Sequence, residues 1–229
     1  PKLILVFGFS FLVACANKQT LVESQPLIDS AAIQKQKEQI QKEQEQFKQA
    51  LGLIQADNAQ EKDLKKAKEI LDTLYTGNSA YLGALINSAD ISLKLKQLDE
   101  AKKLYLEAIQ RIESQKVASQ KEGSADASQE ASEHINMFAV HTYNQLGLIE
   151  RQLGQFDQAE AHYRQALALD SDNPTTLKNL AILLDLYRGK LAEALALYEQ
   201  YQSIVDGSDA QIADPKLKDW IYDLKNRLP

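Results

Sequence analysis

Apolar and polar positions divide the chain into three unlike tracts. Leu3 to Ala14 is almost unbroken apolar sequence, interrupted only by Gly8 and Ser10, with Lys2 ahead of it. As a helix this stretch would span about 18 Å, short of the roughly 20 residues that cross a bilayer core. Its length fits the apolar region of a secretion signal. The chain begins with Pro1, and a few residues are expected to precede it. The next tract, NKQTLVESQPLIDS, is polar around Pro26 and predicts a flexible tether, reaching on the order of 45 Å when extended. From about Ser30 the apolar positions fall at helical spacing. Ile33, Ile40, Phe47, Leu51 and Ile54 mark a narrow stripe on one long helix. That stripe reads either as the inner edge of a solvated helix or as a short coiled-coil seam, with too few heptads to choose the second.

Beyond this helix the pattern repeats. Ala101/Tyr105, Ala159/Tyr163 and Ala194/Tyr198 share Ala-x-x-x-Tyr, and Ala67/Leu71 lies 34 residues before the first of them. Tyr143 to Leu177 and Leu146 to Leu180 are again 34 residues apart. A fixed period of this size predicts helical hairpins that each hide an apolar face only by stacking on a neighbour. Small residues at Gly147, Ala159 and Ala166 let two helices approach, and Leu146, Tyr163 and Leu167 fill the gaps. The clearest unit is residues 143–170. The next, from about Pro174 to Ser203, keeps Leu177, Leu180, Ala181, Ala194 and Tyr198. It has one extra residue in the turn DLYRGKLAEA, because Ala159 to Ala194 is 35. Residues 84–110 form a more degenerate unit with Ser88 and Ala89 in place of Leu and Gly, and residues 48–76 keep only the outline.

Three details at helix ends follow. Asp157 with Glu160 predicts a capping-box start for a second helix. Asp214-Pro215 predicts the start of a final helix, with Leu217, Ile221 and Leu224 on one face and Trp220 packed on the last repeat. Ala101 to Ala159 is 58 residues, so about 24 are inserted near 114–137. This small, polar tract predicts helix extensions on both sides of a loop around Glu122 to Ser128. It is either a functional loop or a tolerated surface insertion.

Tyr143-x-x-Leu146-Gly147, the turn Gly154-Gln155-Phe156-Asp157, and Ala159, Tyr163 and Ala166 together resemble the tetratricopeptide repeat (TPR) family. The resemblance implies an all-α fold: a TPR-like α-solenoid of helix-turn-helix hairpins with a long N-terminal helix and a C-terminal capping helix. The repeat domain would cover 31–229, after a signal at 1–14 and a tether at 15–30. In this family the first helices of the hairpins line a concave groove that binds peptides or proteins. By repeat register the groove positions are Gly83, Ile86, Asn87, Asp90 and Leu93 in the second unit. They are His141, Asn144, Gln145, Leu148 and Arg151 in the third, and Thr175, Lys178, Asn179, Ile182 and Asp185 in the fourth. The candidate binding residues are Asn87, Asn144, Arg151, Lys178, Asn179 and Asp185. Some members grip a terminal carboxylate with paired Lys and Asn. Asn144, Lys178 and Asn179 are of the right types, but the full pattern is absent, so that ligand is not assigned.

The single cysteine adds an address. Leu12-Val13-Ala14-Cys15 resembles the lipobox of bacterial lipoproteins. That resemblance implies cleavage after Ala14, lipidation of Cys15, and anchoring by several acyl chains (palmitate among them), which hold where one chain would not. Ala16 after the cysteine favours the outer membrane, facing the periplasm. One cysteine also rules out a disulfide within the chain. A formal net charge of −6 argues against general nucleic-acid binding, which needs clustered cations.

His134, His141 and His162 form no H-E-x-x-H or similar pair, and no P-loop, Rossmann glycine pattern or G-x-S-x-G is present. The expectation is therefore no enzyme, no cofactor, no metal and no small-molecule substrate. The expected work is that of a membrane-anchored periplasmic adaptor for another envelope protein or peptide. It would assist assembly or localisation of a pilus, secretion or motility-type complex, as a pilotin does for a secretin. The alternative is an accessory of cell-wall enzymes or of outer-membrane protein assembly.

Overall fold

The computed structural model describes residues 30–56, 59–77, 81–122, 125–206 and 215–228. The signal, the tether, Cys15 and Asp214 lie outside the described residues. The described helices are α1 (Ser30–Gln55), α2 (Glu61–Gly77), α3 (Leu82–Lys94), α4 (Leu98–Glu122), α5 (Ala125–Gln152), α6 (Phe156–Leu169), α7 (Pro174–Leu183), α8 (Leu191–Asp206) and α9 (Leu217–Arg227). A π-helical turn, Leu184–Arg188, extends α7. No strand occurs among the described residues, and none of their helices is long and apolar enough to cross a membrane.

Two compact units divide between Ala84 and Leu85. In the first, α1 packs on α2. Ala50, Leu51 and Ile54 are buried, as are Ala67, Leu71 and Leu74 on α2, and the Phe47 and Tyr81 rings meet at 6.1 Å. Ile33 and Ile40 remain exposed. The apolar stripe of α1 is thus buried only in its C-terminal half.

In the second unit α5/α6 and α7/α8 are successive hairpins, with α4 on α5, α6 on α7, and α5 directly on α7, and α3 is joined to α4 by a tight turn and by the Tyr105–Asp90 hydrogen bond. The repeated small–large pattern is the core. Tyr105, Tyr163 and Tyr198 are fully buried, with Ala101, Ala159 and Ala194 one turn before them at 0% exposure. Burying an aromatic side chain of this size removes about 150–250 Å² from water, which makes these tyrosines the main contributors to stacking. Leu217, Ile221 and Leu224 of α9 close the end of the array, and the Trp220 ring lies 5.6 Å from that of Tyr198.

The turns inside the hairpins share one geometry. Lys96, Gly154 and Gly189 have φ of 60°, 73° and 65°, each two residues ahead of the second helix. In the first two turns the following amide reaches back five residues, Gln97 N–H to Ser92 O at 2.9 Å and Gln155 N–H to Glu150 O at 2.8 Å. This is the glycine-type helix ending in which a left-handed residue satisfies the last carbonyls. In the third, Lys190 N–H reaches back six residues to Leu184 O at 3.0 Å. The extra residue read into that turn is therefore absorbed within the helix, as the π-helical turn, and the loop geometry is kept.

Three expectations about helix ends and loops change. α6 starts at Phe156 with Gln155 as its cap and no side-chain cap bond, so the Asp157/Glu160 capping box does not form. Glu160 is held instead by three cations: Arg164 Nη2 at 2.8 Å, Lys190 Nζ at 2.7 Å and Arg188 Nε at 3.2 Å. α9 starts at Leu217 with Lys216 at its cap, two residues past Pro215. The insert is helical up to Glu122 and again from Ala125, which converts most of the anticipated loop into the ends of α4 and α5. The cap of α7 is made by Asn173, whose side chain accepts from Thr176 N–H at 3.0 Å, with Pro174 next to it.

Candidate protein-binding face

The first helices α3, α5 and α7 carry the register positions expected to line a groove. Their polar side chains are joined in pairs from one repeat to the next. Asn179 Nδ2–H on α7 donates to Asn144 Oδ1 on α5 at 3.0 Å. His141 Nε2–H on α5 donates to Asp90 Oδ1 on α3 at 2.8 Å, and the Tyr105 hydroxyl of α4 donates to the same oxygen. Asp185 Oδ1 lies 2.8 Å from Arg227 Nη1 of α9. Lys178 Nζ stands 5.9 Å from the centre of the Tyr201 ring, within cation–π range.

Of the residues singled out, Asn144 and Asp185 are buried, and Asn87, Arg151, Lys178 and Asn179 are partly buried. The structure joins Asn144 with Asn179 directly, and holds Lys178 Nζ within cation–π range of the Tyr201 ring. Arg151 Nη1 is buried without a hydrogen-bond partner among the described residues, as is the Tyr163 hydroxyl. Between the polar pairs, Leu93, Leu148 and Ile182 are half-buried. Among the described residues Asn144 Nδ2 and Asn179 Oδ1 make no further hydrogen bond, and they are one donor and one acceptor of the kinds a peptide backbone pairs with.

Electrostatics concentrate at two buried carboxylates. Glu150 is 1% exposed, takes Lys102 Nζ at 3.0 Å and accepts from His162 Nδ1–H at 2.6 Å. Burial pushes its carboxyl up, but the bonds and charges of His162 and Lys102 outweigh this and hold it below the usual carboxylate range. The second is Glu160, held low in the same way by Lys190 and Arg164 against the opposing effect of burial. The Tyr105 hydroxyl is pushed well above its usual range, first by burial and then by the Asp90 charge.

Glu150 is not among the candidate residues, because the repeat register names only groove positions. The signal was present: Glu150 lies three residues past Gly147, on the inward stripe formed by Leu146 and Gly147. Among the described residues no group of three or more His, Cys, Asp or Glu side chains is placed to hold a metal ion.

Residues 82–115 and 138–205 match the tetratricopeptide repeat family. No curated protein matches the chain in sequence. Among solved structures the chain is similar to BtubC from P. vanneervenii, at 16% identity and a TM-score of 0.56, over 72% of this chain and 66% of that protein. It is also similar to a putative kinesin light chain with nearly identical TPR-like repeats from Podosopora anserina, at 15% identity and a TM-score of 0.53, over 80% of this chain and 86% of that one. Pseudomonas aeruginosa pilF aligns at 20% identity and a TM-score of 0.47, over 73% and 68%. The two matched tracts are tetratricopeptide repeats, and the fold is an all-α, TPR-like solenoid. Repeats of this class are typically protein-interaction modules, which is consistent with a peptide or protein as partner.

Proposed function

We propose that this protein is a non-catalytic periplasmic adaptor, tethered to the outer membrane through a lipidated Cys15, that holds a segment of another envelope protein against α3, α5 and α7. In this reading it assists assembly or localisation of a pilus, secretion or motility-type complex. The observation that carries the reading is the Asn144–Asn179 bridge. It places an amide donor and acceptor across two adjacent first helices, flanked by the half-buried Leu148 and Ile182. Such a face can bond a partner's backbone while its apolar side chains pack on the leucine and isoleucine. The lipobox and the polar tether support the anchored placement.

Affinity capture from envelope extract tests the face. Wild type is compared with the triple variant Asn144→Ala, Lys178→Ala, Asn179→Ala, after circular dichroism shows that both are folded. Loss of partner recovery supports the reading, and unchanged recovery refutes it.

A further inference from the structure

We propose that Asp90 and His141 form a proton-dependent clasp that ties the second repeat to the third on the candidate binding face. The clasp joins three helices through one carboxylate oxygen. Asp90 Oδ1 on α3 receives both His141 Nε2–H from α5 and the Tyr105 hydroxyl from α4. Tyr105 is fully buried and its ring stands edge-on to the imidazole at 6.4 Å. The His141 and Asp90 side chains keep 21% and 26% of their surface exposed, so the site exchanges protons with solvent without opening.

Among the described residues, Asp90 from α3 and Tyr105 from α4 are the titratable groups in contact with His141. Burial works against the imidazolium, but the charge of Asp90 and the hydrogen bond to it outweigh burial and raise the His141 pKa above its ordinary 6.5. A histidine whose folded pKa is raised contributes stability that is complete below 6.5 and is lost as pH rises through the folded value. A neutral imidazole can still donate to Asp90. The charge-assisted bond is roughly twice as strong as the neutral one. The contact between α3 and α5 is therefore tightest in mildly acidic solution and loosens above it. The consequence for partner capture rests on the proposed function; the clasp itself does not, and is tested without a partner.

The test is an NMR titration of the His141 ring protons in the folded chain, for wild type and for Asp90→Asn. The expected wild-type midpoint lies above 6.5, and Asp90→Asn lowers it because the neutral amide removes the charge that favours the imidazolium. A wild-type midpoint at or below 6.5, or one that Asp90→Asn leaves in place, overturns the clasp. Hydrogen exchange gives a second measure. After correction for intrinsic rates, α3 amides of wild type should lose protection between about pH 5.5 and pH 8, and those of His141→Gln should not. Equal pH dependence in both chains contradicts the proposal. Should either variant fail to fold, the wild-type midpoint alone still decides.

Discussion

A Cβ added to Gly147 would stand 2.6 Å from Cε1 of Tyr163. That single relationship shows how the third hairpin is built. The helix α5 gives up a side chain so that the tyrosine ring of α6 can approach its backbone closely. Tyr163 is fully buried and cannot swing aside.

Gly147→Ala should therefore destabilise the chain despite the better helix propensity of alanine. Overpacking of this kind costs about 1–3 kcal/mol, against a propensity gain of about 1 kcal/mol. Gly52 on α1 has nothing within 4 Å of the same added atom. Gly52→Ala should accordingly be neutral to stabilising. Urea denaturation of the two variants should show midpoints moving in opposite directions or, at the least, a loss for Gly147→Ala alone.

Lys96 occupies the left-handed position that Gly154 and Gly189 hold in the other two turns. A side chain there costs about 1–2 kcal/mol in backbone strain, partly offset by the greater freedom of glycine in the unfolded chain, about 0.4–1 kcal/mol. Lys96→Gly should raise stability by roughly 0.5–1 kcal/mol from that difference. Gly154→Ala should lower it. Thermal midpoints of the two variants check the pair.

The ion cluster at Glu150 predicts an acid limb. Its folded pKa is held below the unfolded value of 4.5 by His162 and Lys102, against burial. The stability it contributes is present above 4.5 and is lost as pH falls through the folded value. Wild type should lose thermal stability between about pH 5 and pH 3. Glu150→Gln, already lacking the charge, should start lower at pH 5 and fall less. Parallel falls in both proteins would show that other carboxylates dominate.

Removal of α9 should expose the end of the array. Leu217, Ile221 and Leu224 cover the core that includes Tyr198, Tyr201 and Val205. A chain ending at Asp206 should bind the apolar dye ANS and melt at lower temperature, because a solenoid needs a polar-backed end. Dye binding no greater than that of the full chain would mean that α8 closes the end by itself.

The repeated hairpins were legible because stacking imposes one small–large rule at every unit, and Ala159/Tyr163 and Ala194/Tyr198 obey it. The capping helix was legible from the spacing of Leu217, Ile221 and Leu224. What could not be read depends on partners distant in sequence. Glu160 looked like a capping residue for α6, but Arg188 and Lys190, on the far side of the next helix, draw its carboxylate away. The extra residue before Leu191 was countable in the sequence, while its resting place in a π-helical turn depends on keeping Gly189 left-handed. The candidate face was found by register, as single residues. Pairing of Asn144 with Asn179, and of Asp90 with His141, depends on the spacing between neighbouring first helices, which register does not supply.

Lipidation is tested apart from the fold. Cys15→Ser should release the protein from membranes and abolish incorporation of labelled palmitate. Retention in the membrane with unchanged labelling would overturn the anchor.

The most direct test of the adaptor reading is site-specific photo-crosslinking in intact cells. A photoreactive residue replaces Leu148 or Ile182 on the candidate face, and Ala161 on α6, an exposed site off that face, serves as the comparison. A discrete adduct with one envelope protein from positions 148 and 182, and none from 161, is the predicted result. Adducts from 161 alone, or none from the face while the protein is folded and anchored, would contradict it.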